Sequence, residues 1–279
     1  MKAFIRRRNL YGVLFVAAFA LTGCAGFQQA STEAHVAQVK AEPSVQRALA
    51  PQGVLRVGVY LGSPTSLVRD AKSGASFGVA YELGHALAAQ LNVPVQIVQY
   101  QRVAEVIDAL KSNQVDMTFT NATAARAKEV DFTPALIQLE LGLLVPVNSA
   151  IKSFESVDRA GVLLGVSQGS SSQGVLSQRL KNATIVPVPS LTQVQQMLTE
   201  RKLDVFATNK GILFELAEKM ADVRVLDDSW GVENLAIAIP KGRDAGMPYL
   251  QAFAQRAQKT GQVNQMAQRA GLRGLVRSN

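Results

Sequence analysis

Val115-Asp-Met-Thr-Phe-Thr-Asn121 and, 88 positions further on, Leu203-Asp-Val-Phe-Ala-Thr-Asn209 share an apolar residue, then Asp, a strand-like run and a closing Thr-Asn. The same offset lays Val106 on Val194 and Leu110 on Leu198 in the segments that precede them. Apolar residues three and four apart, followed by a short run rich in β-formers, read as a helix feeding a strand. Any two α-β units agree in that binary pattern. The matched Asp and the matched Thr-Asn pair are harder to obtain by chance, and they suggest a chain written twice.

Working outward, the first half reads strand Val54 to Tyr60, a helix with Val79, Leu83, Ala86, Leu87 and Leu91 on one face, and strand Val93 to Val98. A helix marked by Val103, Val106, Ile107 and Leu110 then leads to strand Val115 to Thr120. The second half repeats the order: strand Val162 to Val166, helix Ser172 to Leu180, strand Thr184 to Val188, helix Leu191 to Lys202, strand Leu203 to Thr208. Such alternation predicts parallel sheets covered by helices. Both Thr-Asn pairs fall where a parallel strand ends, which is where ligands bind in open α/β sheets. Two lobes facing each other across a cleft are therefore expected.

Composition narrows the chemistry. The 279 residues are 48% hydrophobic, ample for packed cores, and include one Cys and two His. No internal disulfide is possible, a thiolate-rich zinc site is excluded, and only His35 and His85 could serve a His-dependent nucleophile. No cofactor or metal is expected.

The net charge of +8 loses weight once its distribution is read. Lys2, Arg6, Arg7 and Arg8 precede the apolar run Leu10 to Leu21, the layout of a secretory signal. The run ends in Leu21-Thr-Gly-Cys24, which resembles the lipobox of bacterial lipoproteins and implies cleavage of residues 1–23 and lipidation of Cys24. Cleavage there leaves 25 Lys+Arg against 21 Asp+Glu, or +4, with no basic cluster interleaved with aromatics. Nucleic acid is not an expected partner. Residues 24–52, rich in Ala, Gln, Ser and Glu and containing His35, read as a lipidated tether with a short helical turn near Val45 to Leu49.

Several segments past the tether resemble the type II periplasmic solute-binding proteins of ABC importers, in their polar amino-acid-binding branch, bacterial family 3. They include Leu55-Arg-Val-Gly-Val-Tyr60, Gly78-Val-Ala-Tyr-Glu-Leu83, Ala109-Leu-Lys-Ser-Asn-Gln-Val-Asp-Met117, Gly165-Val-Ser-Gln-Gly-Ser-Ser171 and Leu203-Asp-Val-Phe206. The most specific is Thr123-Ala-Ala-Arg-Ala-Lys-Glu-Val-Asp-Phe-Thr133. The resemblance implies an α/β protein of two Rossmann-like lobes around a central ligand cleft, joined by crossing strands near Leu139 to Val145 and Leu235 to Ile239. Residues 53–140 with 235–279 would form a discontinuous first lobe and 141–234 the second.

The resemblance also nominates a site. Arg126 would fork onto a ligand carboxylate, a bidentate contact that Lys does not copy, with Thr123 and Asn121 beside it. The alternative is a solvated Arg126 pairing with Glu129 or Asp131. Ser170 and Ser171, between a strand and a helix, would meet a carboxylate from the second lobe, or simply cap the helix. At Asn209 amino-acid binders of the family usually carry Asp, which pairs with the ligand's ammonium; an amide supplies no charge for that. The aromatic-rich stretch usual after the first strand is replaced here by Leu61-Gly-Ser63-Pro-Thr-Ser66, with Ser63 as a candidate contact. The expected ligand is therefore a small anionic, carboxylate-bearing or zwitterionic solute, with an ordinary L-amino acid possible but not favoured.

The resulting expectation is a monomeric, non-enzymatic, exported binder, held at a membrane surface by lipidated Cys24, that delivers its solute to an ABC permease. A periplasmic enzyme on the same fold, similar to cyclohexadienyl or arogenate dehydratases, is the second reading, with Glu82 and Glu140 as its only candidate acids. A sensor subunit acting through another protein is the third. His85, off its helix's apolar stripe, reads as a surface histidine, and Trp230 as a packing residue near the second crossing.

Overall fold

The computed structural model describes residues 41–276. The signal segment, Cys24 and His35 lie outside the described residues.

The described chain opens with helix α1 (Pro43–Leu49) and strand β1 (Leu55–Tyr60), then a small hairpin of β2 (Val68–Arg69) and β3 (Ser76–Phe77). Alternation follows through α2 (Val79–Leu91), β4 (Val95–Tyr100), α3 (Val103–Lys111) and β5 (Thr118–Asn121). After the short α4 (Ala124–Ala127) and β6 (Val130–Phe132) comes a ten-residue strand, β7 (Ile137–Pro146). The second alternation is β8 (Leu163–Ser167), α5 (Ser171–Arg179), β9 (Thr184–Val188), α6 (Leu191–Thr199), β10 (Val205–Asn209) and α7 (Lys210–Ala217). Strand β11 (Val223–Val225) and another ten-residue strand, β12 (Gly231–Pro240), lead to α8 (Met247–Lys259) and α9 (Gln262–Arg269).

The two alternations are the α/β elements that the periodicity predicts, with ends shifted by a few residues, and β7 and β12 lie where the resemblance places the crossings; β2, β3, α4, β6, α7, β11, α8 and α9 are not anticipated. In the first lobe β1 pairs in parallel with β4, and Met117 bridges Val57 in parallel on its other side. In the second lobe β8 lies between β9 and β10, parallel to both. The two long strands join the halves. They pair antiparallel over Ile137 to Leu141 and Gly231 to Leu235, then part. The rest of β12 pairs with β5 and β6, while the rest of β7 pairs with β10 and β11. The apolar contacts change sides at the same place: Leu139 packs into the core that holds Leu83, Phe119 and Phe253, whereas Leu141 packs with Leu164, Val205 and Trp230.

The repeated Asp has a structural explanation. Asp116 Oδ2 accepts the backbone N–H of Arg56 at 2.8 Å, while the Asp116 N–H donates to the Arg56 carbonyl at 2.7 Å. Asp204 Oδ2 accepts the N–H of Leu163 at 2.8 Å and returns its own N–H to the Leu163 carbonyl at 2.9 Å. In each lobe the Asp thus docks the start of one parallel strand to the start of its neighbour. The first copy is fully buried and also holds the guanidinium groups of Arg56 and Arg243, at 2.7 and 2.9 Å.

Two local features bear on the cleft. Gly78, ahead of α2, has φ +145°, and a Cβ there would sit 2.2 Å from the Ser66 carbonyl. Only glycine lets α2 start so close to the loop after β1. The segment read as tether is in part integral to the fold: Ala41, Leu49 and Ala50 are buried in the first-lobe core, and the Leu49 carbonyl accepts from Arg243 Nη1 at 3.2 Å. The apolar Leu49 had too few apolar companions in sequence to reveal this; its partners on α2, α8 and Gly246 come from far along the chain.

Candidate ligand-binding cleft

The strand ends converge on one cavity of about 560 Å³, including the part open to solvent. Tyr60 of β1, Thr120 and Asn121 of β5, Ser167 of β8, Val188 of β9, and Thr208 and Asn209 of β10 all line it. Between them come the first residues of α3, α5 and α6, at Val103, Ser171 and Leu191. Helix N-termini present unpaired N–H groups and the positive end of the helix dipole. The walls are therefore built to favour negative charge on a ligand.

Arg126 reaches this cavity from α4. Its Nη1 donates to Thr120 Oγ1 at 2.9 Å and to the Asn121 carbonyl at 3.2 Å, which fixes one arm of the guanidinium. The surface pairing weighed for it does not form: Glu129 pairs with Lys111 and Asp131 with Lys241. Burial lowers the Arg126 guanidinium from its ordinary value, opposed by the charge of Glu233. Thr123 stands next to it but does not line the cavity; its Oγ1 caps α4 by accepting the Arg126 N–H at 3.2 Å.

In the second lobe Ser170 caps α5, accepting the Gln173 N–H at 3.1 Å, and lines the cavity, so capping and cleft placement coexist. Ser171 Oγ accepts from Asn121 Nδ2 at 3.2 Å and donates to Glu233 Oε1 at 3.2 Å, which links the two lobes. Asn209 caps α7 through Oδ1, which accepts the Ile212 N–H at 3.1 Å, and its Nδ2 donates to Glu233 Oε2 at 3.0 Å. Glu233, from the crossing strand β12, is only 6% exposed. Burial pushes its carboxyl above the ordinary glutamate range, against the pull of Arg126, Asn209 and Ser171.

Glu233 is the residue that sequence reasoning missed. The two acids it weighed are elsewhere: Glu82 pairs with Arg269, and Glu140 with Lys210, whose Nζ also donates to the Asp227 carbonyl at 2.7 Å. Neither lines the cavity. A signal did exist. Leu235, Ile237 and Ile239 share one face of β12, in a stretch buried throughout from Leu235 to Pro240, and the period of two carried backward reaches Glu233, buried between exposed Val232 and Asn234.

Ser63, Trp230 and His85 fall outside the cavity wall. Ser63 is buried in the loop after β1, 2.9 Å from Thr65 Oγ1, and it is Thr65 that faces the cavity. Tyr60 supplies an aromatic face despite the altered loop, and burial raises its hydroxyl pKa. Trp230 is buried behind the crossing, its Nε1 donating to the Gly142 carbonyl at 3.0 Å and its ring stacked on Phe154 at 5.9 Å. His85 is exposed and leans on Tyr81, 4.6 Å between ring centres. Among the described residues no group of three His, Cys, Asp or Glu could hold a metal, and no helix is long and apolar enough to cross a membrane.

Residues 55–272 match the model of the bacterial extracellular solute-binding proteins, family 3. The chain belongs to this family. As a family 3 member it is an exported substrate-binding protein. It is 22% identical over 203 residues to the ABC transporter glutamine-binding protein GlnH of Bacillus subtilis (strain 168), covering 71% of this chain and 74% of that relative. Among solved structures it resembles the amino acid ABC transporter substrate-binding protein AbpA from Streptococcus pneumoniae Canada MDR_19A bound to L-arginine. The TM-score is 0.73 at 18% identity, over 80% of this chain and 97% of the other. It also resembles the ancestral amino acid-binding protein AncCDT-1, a precursor of cyclohexadienyl dehydratase. There the TM-score is 0.68 at 26% identity, over 78% and 96% of the two chains. The chain shares with these structures the α/β fold of the type II periplasmic binding proteins.

Proposed function

We propose that this family 3 protein binds a small carboxylate-bearing solute, an amino acid or an organic acid, between its lobes and delivers it to an ABC permease. The observation that carries the ligand class is Arg126, tethered by one arm and lining a cavity walled by helix N-termini. A guanidinium so placed matches a carboxylate in a planar, two-point contact. Contacts drawn from both lobes stabilise the closed form only when the solute is present, which is what couples binding to a closure that a permease can recognise. The protein acts as a monomer at the periplasmic face of a membrane, anchored through lipidated Cys24. The lobes comprise 53–140 with 235–279, and 141–234. Mass spectrometry of small molecules that co-purify with the protein, followed by calorimetry with amino acids and organic acids, tests the ligand class. If neither group binds stoichiometrically, it fails.

A second reading, an enzyme on this fold, gains one specific observation. Glu233 is a buried carboxyl with a raised pKa inside the cleft, a combination that suits a general acid. Turnover of prephenate or arogenate by the purified protein would favour it. Stoichiometric binding of a solute that is recovered unchanged excludes it.

A further inference from the structure

Past α9 the chain runs back across the crossing. Residues 271–276 pair with the edge of β7 that β12 leaves free: the Glu140 N–H donates to the Gly274 carbonyl at 2.9 Å and the Val276 N–H to the Gln138 carbonyl at 3.0 Å, with Leu275 opposite Leu139. This pairing lies just before Leu141, where β7 and β12 part. Leu272 is buried in the first-lobe core with Leu139 and Met266. One side of the segment is therefore fixed to the first lobe.

Its other side rests on α7 of the second lobe. Gly274 has φ +82°, and a Cβ there would sit 2.4 Å from Lys210 Cβ, so only glycine lets the segment lie on the first turn of that helix. Gly211 in turn makes room for Leu272, whose Cδ1 lies 2.5 Å from where a Cβ would stand. Arg273 reaches the far end of α7, where it pairs with Glu218 and places its guanidinium 4.3 Å above the Phe214 ring. Lys210, a cation on the first turn of a helix, opposes the helix dipole, and Glu140 of β7 holds it there. The same turn is capped by Asn209, in the cleft wall.

Rotation of the second lobe about the parting point moves α7 against a segment that stays with the first lobe, so the Arg273 contacts stretch or break. Contacts made in only one arrangement favour that arrangement. In this one the lobes meet across the cleft, Asn121 on Ser171. We propose that residues 271–276 are a strap, a further tie between the lobes beside β7 and β12, which biases the cleft toward its closed arrangement and so regulates admission of the solute. The assignment rests on the solute-binding reading, since only a cleft that opens needs such a tie.

The experiment is hydrogen-exchange mass spectrometry of the full chain with no solute added, compared with Arg273→Glu, Gly274→Val and the charge swap Arg273→Glu with Glu218→Arg. The first N–H groups of α5, at Ser171 and Ser172, have no intrahelical acceptor, and they lie where the lobes meet, Ser172 buried and Ser171 bonded to Asn121. Their exchange therefore reports opening. Arg273→Glu speeds it about fivefold, the worth of an exposed ion pair and a cation–π contact. Gly274→Val, which also lifts two backbone bonds, speeds it at least about tenfold. The charge swap recovers at least about twofold. Core amides of β8 keep their rate, which shows that the variants fold and that the change is not a general loosening. Unchanged exchange at the start of α5 in both single variants overturns the strap, as does an equal rise in β8. Because no solute is added, that failure is separate from failure of the calorimetry that tests the ligand class.

Discussion

Asn209 Nδ2 and Glu233 Oε2 meet at 3.0 Å inside the cleft, joining the end of a parallel strand to the strand that crosses between lobes. The same Asn209 caps α7 through its other amide atom. Asn209→Ala therefore removes a helix cap, worth about 1 kcal/mol, and strips a donor from a buried carboxylate, worth a further ~1–3 kcal/mol. The expected loss of about 2–4 kcal/mol appears as a lower urea midpoint at unchanged slope. An effect below about 0.5 kcal/mol shows that neither bond is formed in solution.

Arg126→Lys keeps the positive charge but not the planar fork. A lysine cannot hold Thr120 Oγ1 and the Asn121 carbonyl with one arm while turning the other to a carboxylate. Affinity for the co-purifying solute is expected to fall about 30-fold or more, close to 2 kcal/mol, with little change in melting temperature. Calorimetry on the two proteins gives the comparison. Equal affinities remove Arg126 from the binding site.

The two copies of the repeated Asp differ in what surrounds them, so their removal should differ in cost. Asp116→Ala leaves two buried guanidinium groups without their partner and is expected to cost about 3–5 kcal/mol. Asp204 makes the same backbone contact at an exposed position, and Asp204→Ala should cost only about 1 kcal/mol. Denaturant unfolding of the two variants separates these values, and equal losses contradict the assignment.

The raised pKa of Glu233 has a consequence for stability without ligand. A carboxyl whose folded pKa lies above its unfolded value is more protonated in the folded state, so its contribution to stability grows as pH falls through the folded value. Ligand-free wild type should thus gain on Glu233→Gln as pH is lowered through the raised folded pKa. Arg126 and Tyr60 face the same carboxyl, and burial lowers the pKa of the first and raises that of the second. Asp158 works oppositely: backbone N–H groups of Asn182, Ala183 and Lys181 hold its pKa down, and its stabilisation disappears only at lower pH, alike in both proteins. Thermal melts at several pH values check the sign. A wild type that loses ground to the variant on acidification refutes it.

How much of this was legible in sequence follows from the range of the interactions. The α/β alternation and the two Thr-Asn strand ends are local periodicities, and Thr120, Asn121, Thr208 and Asn209 do line the cleft together. The matched Asp pair was visible too, although its reason, docking one strand start to the next across 60 and 41 positions, was not. Ser171 and Glu233 are 62 residues apart; the period of two along β12 turns Glu233 inward, but nothing in the Gly231-Val-Glu-Asn run marks its meeting with a serine of α5. Leu49 illustrates the same limit for packing, its burial depending on partners near residue 246.

Trp230 is the only tryptophan of the chain, and it is seated where β12 leaves the second-lobe core to become a connector between lobes. Every photon of indole emission therefore originates at the joint, next to Phe154 and beneath the Gly142 carbonyl. The protein carries a built-in, single-site optical gauge of lobe movement, and a solute that closes the cleft can be found by fluorescence titration of the unlabelled chain.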